Sequence, residues 1–220
     1  MIQPPKLRPV PSFEALPKVV LASHNAAKLA EMRRLFAAAE LGMRVVSLDD
    51  FPESTPPAET GDTFAENALI KARAAARLTG LPALADDSGI EVDVLNGMPG
   101  VRSARWAGPA GDDQANLELL LRQVDDVAAE RRQARFVCAM AHVDVDGTEL
   151  VTTGVWPGSL ATEPAGSHGF GYDPIFIPAD SPLTSAQLTP EQKDSQSHRA
   201  RAAAAMIEAL RRRATTQGES

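Results

Sequence analysis

In the run Leu84-Ala85-Asp86-Asp87-Ser88-Gly89-Ile90 an apolar segment meets two adjacent carboxylates, a hydroxyl and a glycine. Apolar alternation then resumes through Val92 and Val94. Asp, Ser and Gly are ordinary turn formers, so the plain reading is a turn that joins two strands. The chemical reading is a metal centre: carboxylates brought together hold Mg²⁺, and one of them can orient and deprotonate a water. Glu59, in the upstream AETG segment, is a third acid for such a group. Adjacency alone does not separate Asp86 from Asp87, because an Asp at a turn also bonds its own backbone.

Three further segments carry groups that suit a small polyanion. Ser23-His24-Asn25-Ala26-Ala27-Lys28 follows an apolar run and opens a helical pattern. Ser23 or Asn25 can cap that helix, its first N–H groups attract anions, and Lys28 adds a positive charge within the first turn. The glycines and the GK[ST] ending of a P-loop are absent. Gly166–Pro174 holds three glycines that permit close backbone approach. Within it Phe170 offers a flat face for a nucleobase, and Asp173 can fix polar edges. Entry of Phe170 and Tyr172 into a core is the structural alternative. Lys193 with Ser197-His198-Arg199 places two cations and an imidazole beside the last helix, suited to phosphate or a base carbonyl. A solvated basic helix end is the other reading. No G-x-S-x-G elbow, no HExxH and no cysteine pair is present, which sets aside a serine hydrolase and a zinc enzyme.

Composition restricts the partners. Of 220 residues, 44% are hydrophobic and 23% charged, a soluble globular balance, and the formal net charge is −7. That charge argues against binding a nucleic acid polymer, though not against a phosphorylated small molecule met by local cations. No apolar run approaches the roughly 20 residues that span a bilayer, so no membrane role is expected. The first residues lack the apolar segment of a signal peptide. The single cysteine, Cys138, excludes an internal disulfide framework and fits a reducing cytoplasm.

The elements that must position these groups follow from periodicity. Lys18–Ala22 reads as a buried strand, followed by a helix with Leu29, Met32, Leu35 and Phe36 on one face. Met43–Leu48 is a second strand, and FPESTPPAETG a proline-rich loop. Thr63-Phe64-Ala65-Glu66 matches a capping box and opens an Ala-rich helix that ends near Gly80. A strand to Ala85, the acidic turn and a strand through Val94 come next. A helix is expected over Asp113–Val124. Phe136–Val145 and Glu149–Val155 read as a hairpin closed by the two-residue turn Asp146-Gly147. Ile175–Ile177 is a short strand, and a last helix runs through His198 to about Arg212. Early β-α-β order with a later antiparallel hairpin gives an α/β fold with a mixed sheet. Residues 1–16 read as a flexible tail, and 17–214 as one domain.

Taken jointly, VVLASHNAAKLAEM, ETGDTFAENALIKA, LPALADDSGIEVDVLNGMPGVRSARWAG, RQARFVCAMA, VWPGSLATEPAG, GFGYDPIF and LTPEQKDSQSHRARA resemble the inosine/xanthosine triphosphate pyrophosphatases. They occur in family order and cover Val19 to Leu210. The resemblance implies an elongated mixed sheet flanked by helices, in two lobes, with the nucleotide in the groove between them. It also implies a homodimer, a Mg²⁺ requirement, and hydrolysis of ITP, dITP or XTP to the monophosphate and pyrophosphate. Matched by position, Ser23 through Lys28 become the triphosphate segment. Glu59, Asp86 and Asp87 become metal-site candidates, with Asp87 ranked first as proton acceptor for water. Ser88 touches substrate, and Lys71 is an extra phosphate ligand. Phe170, Gly171, Tyr172 and Asp173 hold the base, and Lys193, His198 and Arg199 complete the pocket. Donors from Arg199, and from His198 if suitably protonated, would pair with the 6-oxo group that distinguishes these purines from adenine. Two departures stand out: His24 fills a position that is often glycine, and His168 interrupts a loop that is often richer in glycine. A Maf-like pyrophosphatase is opposed by the SHR and GFGYDP elements, and a silent nucleotide-binding module by the retained acids.

Overall fold

Strand β1 (Lys18–Leu21) is short, β-branched and buried from Val19 onward. In the computed structural model, which describes residues 16–51, 55–109 and 111–218, it lies near one end of a six-stranded sheet. The expected flexible tail falls outside the described residues except for Leu16, as do residues 52–54 of the proline-rich loop. The chain continues through α1 (Ala26–Ala38), β2 (Arg44–Ser47), α2 (Phe64–Thr79), β3 (Ala83–Val92) and α3 (Asp113–Gln123). It then forms β4 (Gln133–Val143), β5 (Glu149–Leu160), β6 (Phe176–Pro178), α4 (Pro190–Asp194) and α5 (His198–Gly218). Strand order is β2-β1-β3-β4-β5-β6, parallel across β2-β1-β3 and antiparallel from β3 onward. This is the expected α/β architecture with a mixed sheet.

Helix α2 starts where the capping box placed it. Thr63 Oγ1 accepts the Glu66 N–H at 3.1 Å, and Glu66 Oε2 accepts the Thr63 N–H at 3.2 Å. Its end is Gly80, in the left-handed region at φ 65°, which an L side chain adopts only with strain.

Three expectations change. The acidic segment is no turn: Asp86 to Gly89 lie inside β3, and the ladder to β4 is unbroken from Ala83↔Val143 to Val92↔Ala134. Pairing along the whole strand overrides the local preference of Asp, Ser and Gly for turns. Gly89 is required there by a close neighbour, since a Cβ would lie within 2.5 Å of the Gly100 carbonyl oxygen and against Ser103 Oγ. Second, the β4–β5 connection is a five-residue loop, Asp144–Thr148, rather than a two-residue turn. The Asp144 N–H bonds the Thr148 carbonyl at 2.9 Å, and Gly147 takes φ 83° inside it. Third, β5 runs on to Leu160, and α5 runs past Arg212 to Gly218.

Among the described residues four hydrophobic clusters form along the sheet, and two of them hold the largest buried side chains. One packs Leu21, Leu84 and Met140 under α1 and α5, with Phe36 and Met206 buried between. The other packs Ile90, Leu120, Trp156 and Phe176 beyond it. Each such buried side chain contributes about 1.5–3 kcal/mol relative to exposure. Cys138 is buried in the first region, and burial pushes its thiol up to about 12, which makes it an unreactive core residue. Helix α5 rests directly on β5 at Gly154, where a Cβ would meet the His198 carbonyl and lie 2.5 Å from Ala202 N. That contact sets the position of the first turn of α5, and so of His198 and Arg199.

Candidate active site

Side chains alternate across a strand, so the two adjacent acids of β3 face opposite ways. Asp86 shares a face with Leu84 and points toward α1 and α5. There its Oδ2 accepts Lys28 Nζ at 2.9 Å and Arg199 Nε at 3.2 Å. Arg199 also reaches Glu31 at 3.1 Å and Ser88 Oγ at 3.4 Å. Burial opposes the charge on Asp86, but Lys28, Arg199 and Lys71 overcome it and hold the carboxyl far below its ordinary value. Arg199, opposed by burial and supported by Asp86 and Glu31, is held above its ordinary value.

Asp87 points the other way, toward α2. Its Oδ1 accepts Lys71 Nζ at 2.8 Å, and its Oδ2 accepts Asn67 Nδ2 at 3.3 Å. Lys71 also donates to Glu59 Oε1 at 3.0 Å, so one ammonium gathers two carboxylates. Burial raises the Asp87 carboxyl, a shift that Lys71 offsets only in part and the nearby Glu59 charge reinforces. Burial opposes the charge of Glu59 as well, yet Lys71 and Arg105 together bring it below its ordinary value. Lys71 itself is penalised by burial, but the charges of Asp87, Asp86 and Glu59 raise it.

The Ser23–Lys28 segment joins β1 to α1 as expected. Lys28 N–H bonds Asn25 Oδ1 at 3.1 Å, a side-chain cap, and Asn25 N–H bonds Ser23 Oγ at 3.1 Å. His24 is exposed at the lip of this segment and shares a 2.5 Å hydrogen bond with Asp49. Lys28 is what links the segment to β3.

Beyond Ser88 a cavity of about 100 Å³ is lined by Phe136, Phe170, Lys193, His198 and Arg199. Phe170 is 47% exposed, with Lys193 Nζ 5.4 Å and Arg199 Cζ 5.8 Å from its ring centre. His198 stacks on Phe136 at 4.8 Å, and its buried Nδ1 has no hydrogen-bond partner among the described residues. Burial first, then Arg199 and Lys193, push His198 well below its ordinary value, so the imidazole is neutral at pH 7. Asp173 is turned inward: it accepts from Phe170 N–H at 2.9 Å, Ser185 Oγ at 2.8 Å and Lys193 Nζ. Its carboxylate therefore fixes the loop. Tyr172 is buried, its hydroxyl donating to the Ser103 carbonyl at 2.8 Å. Gly171 N–H bonds Asp113 Oδ2 at 3.0 Å. His168 stands outside the cavity lining, its Nδ1 3.0 Å from the Leu188 carbonyl oxygen.

The structure thus brings Glu59, Lys71 and Asp87 to one point. It sets Asp86, Lys28 and Arg199 on the opposite face of β3, and gathers Phe170, Lys193 and His198 around the cavity. Asn67, Glu31, Asp113 and Arg105 also belong to this constellation and were not singled out in the sequence. Asn67 had a signal, since it precedes Lys71 by one helical turn on the same face. Glu31 had the same kind of signal, one helical turn past Lys28, while Asp113 and Arg105 had none. Among the described residues no group of three or more His, Cys, Asp or Glu side chains is arranged to hold a metal.

The Ham1 family model matches residues 19–209. The chain is 56% identical over 195 residues to the dITP/XTP pyrophosphatase of Cutibacterium acnes, covering 88% of this chain and 96% of that one. It is 56% identical over 194 residues to the dITP/XTP pyrophosphatase of Nocardia farcinica, covering 88% and 94%. Among solved structures, a HAM1 protein from Coxiella burnetii superposes with TM-score 0.82 at 41% identity, covering 90% of this chain and 100% of that chain. The nucleoside-triphosphatase / dITP/XTP pyrophosphatase of Mycobacterium abscessus superposes with TM-score 0.72 at 54% identity, covering 86% and 98%.

Proposed function

The chain belongs to the Ham1 family, and on that premise we propose that it is a nucleoside-triphosphate pyrophosphatase. It hydrolyses nonstandard purine nucleoside triphosphates (ITP, dITP and XTP) to the monophosphate and pyrophosphate. The observation that carries this reading is the convergence of Asp87 of β3 and loop residue Glu59 on Lys71 of α2, one residue along β3 from Ser88 in the cavity lining.

Two carboxylates that meet at one point are hard oxygen donors. Mg²⁺ is commonly held by one or two carboxylates together with substrate phosphates, so Glu59 and Asp87 fit that ion without a third protein ligand. When bound, Mg²⁺ neutralises phosphate charge and polarises the attacked phosphoryl group. Asp87 takes a proton from the attacking water, and its burial makes the carboxylate a stronger base than an exposed Asp. Lys71 releases its carboxylates to bind phosphate oxygens, and the Ser23–Lys28 backbone and Lys28 hold the rest of the triphosphate. Asp86 acts from the far face of β3, where it anchors Lys28 and Arg199. Ser88 contacts the substrate between the two parts of the site. The base stacks on Phe170, whose loop Gly171, Tyr172 and Asp173 brace, while Lys193 and neutral His198 face its polar edge.

A two-lobed reading of residues 17–214 goes with the family resemblance. A homodimer and a cytoplasmic setting go with the family resemblance, and among the described residues no helix is long and apolar enough to cross a membrane.

The test is release of pyrophosphate from ITP with Mg²⁺. The expected result is stoichiometric IMP and pyrophosphate, lost in excess EDTA. No release with Mg²⁺ would overturn the activity, and full turnover in EDTA would overturn the metal.

A further inference from the structure

Arg105 closes the 3-10 segment Gly100–Arg105, and none of the roles above uses it. This segment is bolted to both parts of the site. Ser103 Oγ accepts the Ile90 N–H at 2.9 Å and bonds the Gly100 carbonyl at 2.6 Å. The Ser103 carbonyl in turn accepts the Tyr172 hydroxyl. The backbone of Arg105 is therefore fixed between β3, just past Asp87 and Ser88, and the base loop.

From there its guanidinium meets the acidic centre. Nη1 donates to Glu59 Oε2 at 3.3 Å, while Glu59 Oε1 holds Lys71 at 3.0 Å. Glu59 thus neutralises two cations with its two oxygens, and the Arg105 contact is the longer. The Arg105 side chain is 37% exposed, so it can be reached from solvent. A guanidinium carries five N–H donors in a planar fork, of which this contact uses one. A pyrophosphate group carries more charge than a carboxylate and more acceptor oxygens, and it can engage the fork in two parallel bonds.

We propose that Arg105 is a further phosphate-binding residue of this site, covered by Glu59 until a polyphosphate arrives. The inference rests on the pyrophosphatase reading and adds to it a ligand and an exchange. Lys71 and Arg105 share Glu59 in the free protein. Once Glu59 and Asp87 are engaged by a divalent ion, both cations lose their counter-charge, and the polyphosphate supplies it. The ligand chemistry is a pyrophosphate moiety, whether within the substrate or as the released product.

Calorimetry with inorganic pyrophosphate on the metal-free protein, in EDTA, isolates the contact from turnover. Arg105→Ala should weaken that binding about 10- to 100-fold, the range expected for one charge-assisted pair. Arg105→Lys should recover part of it. Glu59→Gln should tighten metal-free pyrophosphate binding, and Arg105→Ala in that background should remove part of the gain. With Mg²⁺, Arg105→Ala should raise KM for ITP more than it lowers kcat, which separates the substrate from the product as the source of the contact. Arg105→Gln, which keeps the stem, gives the same comparison if alanine does not fold. Unchanged pyrophosphate binding and KM in folded Arg105 variants would overturn the proposal, as would a Glu59→Gln gain that survives whole without Arg105. Wild-type protein that releases no pyrophosphate from ITP would instead overturn the activity itself, a separate measurement.

Discussion

Asp86 and Asp87 are neighbours in the chain, yet they stand on opposite faces of β3. Asp86 is gripped by Lys28 and Arg199, and Asp87 by Lys71 and Asn67. Strand pleating separates what the sequence puts side by side. One acid pairs with cations from α1 and α5, and the other with an ammonium and an amide from α2.

The pair should therefore divide on mutation. Asp87→Asn keeps the shape but exchanges one acceptor oxygen for a donor, and it cannot accept a proton or serve as an anionic ligand. Turnover of ITP should fall about 10²–10⁴-fold with the fold intact. Asp86→Asn leaves Lys28 and Arg199 without their buried counter-charge and should cost about 3–5 kcal/mol of stability. Denaturant unfolding alongside kcat checks both. Lost stability in the Asp87 variant with lost turnover in a fully stable Asp86 variant would reverse the assignment.

Helix α2 was legible because its signals are local: a capping box at Thr63 and Glu66, small residues and a terminal glycine. The β3 segment was misread for the opposite reason. Its Asp-Asp-Ser-Gly composition says turn within a few residues, while the pairing with β4 that straightens it comes from residues about 50 positions away. The same distinction runs through the site. Lys71 could be placed on a helix, and its reach to Asp87 follows from α2 packing on β3. The Arg105–Glu59 contact joins two irregular segments 46 residues apart, and no period links them. Asp173 looked like a base-reading acid beside an aromatic. Only tertiary structure brings Ser185 and Lys193 to its carboxylate, which braces the loop while still lining the cavity.

Gly154 should tolerate no side chain. Alanine there would push against the His198 carbonyl and Ala202 N, so the first turn of α5 must lift from β5. Overpacking of this kind costs about 1–3 kcal/mol. Because that turn carries His198 and Arg199, kcat/KM for ITP should fall beyond what the unfolded fraction explains. Thermal unfolding and kinetics on Gly154→Ala check this, and an unchanged kcat/KM would mean that α5 is not held at this point.

Stability should depend on pH through His198. Its folded value lies well below the ordinary 6.5, set by burial and then by Arg199 and Lys193, with Asp86 opposing and Lys28 adding. A lowered value in the folded state means that the unfolded chain binds the extra proton first. The contribution is full above about pH 6.5 and is lost as pH falls toward the folded value. The slope approaches about 1.4 kcal/mol per pH unit for one proton. His142, also lowered by burial, adds to the same window. Subtraction isolates His198: wild type should lose more stability between pH 6.5 and 5 than His198→Gln does. Parallel curves for the two proteins would show that His198 takes up its proton in the fold.

Base choice should follow His198 rather than Arg199. The guanidinium of Arg199 uses three of its five N–H donors on Asp86, Glu31 and Ser88 and is almost fully buried, so the scaffold holds it in place. His198 is neutral, lines the cavity beside Phe170 and has a ring nitrogen with no partner among the described residues. A neutral imidazole offers one N–H, which suits the 6-oxo group of hypoxanthine or xanthine and opposes the amino group of adenine. Leaving a buried donor unpaired costs about 1–3 kcal/mol, or about 5- to 150-fold against ATP. His198→Ala should accordingly lower kcat/KM for ITP more than for ATP and narrow the ratio between them. Arg199→Ala should lower both alike and cost stability, because Asp86 and Glu31 lose their partner. Measuring both substrates on both variants decides the matter. A ratio that narrows in Arg199→Ala and holds in His198→Ala would return the reading of the base to the arginine, and would mean that its ion pairs open when the nucleotide binds.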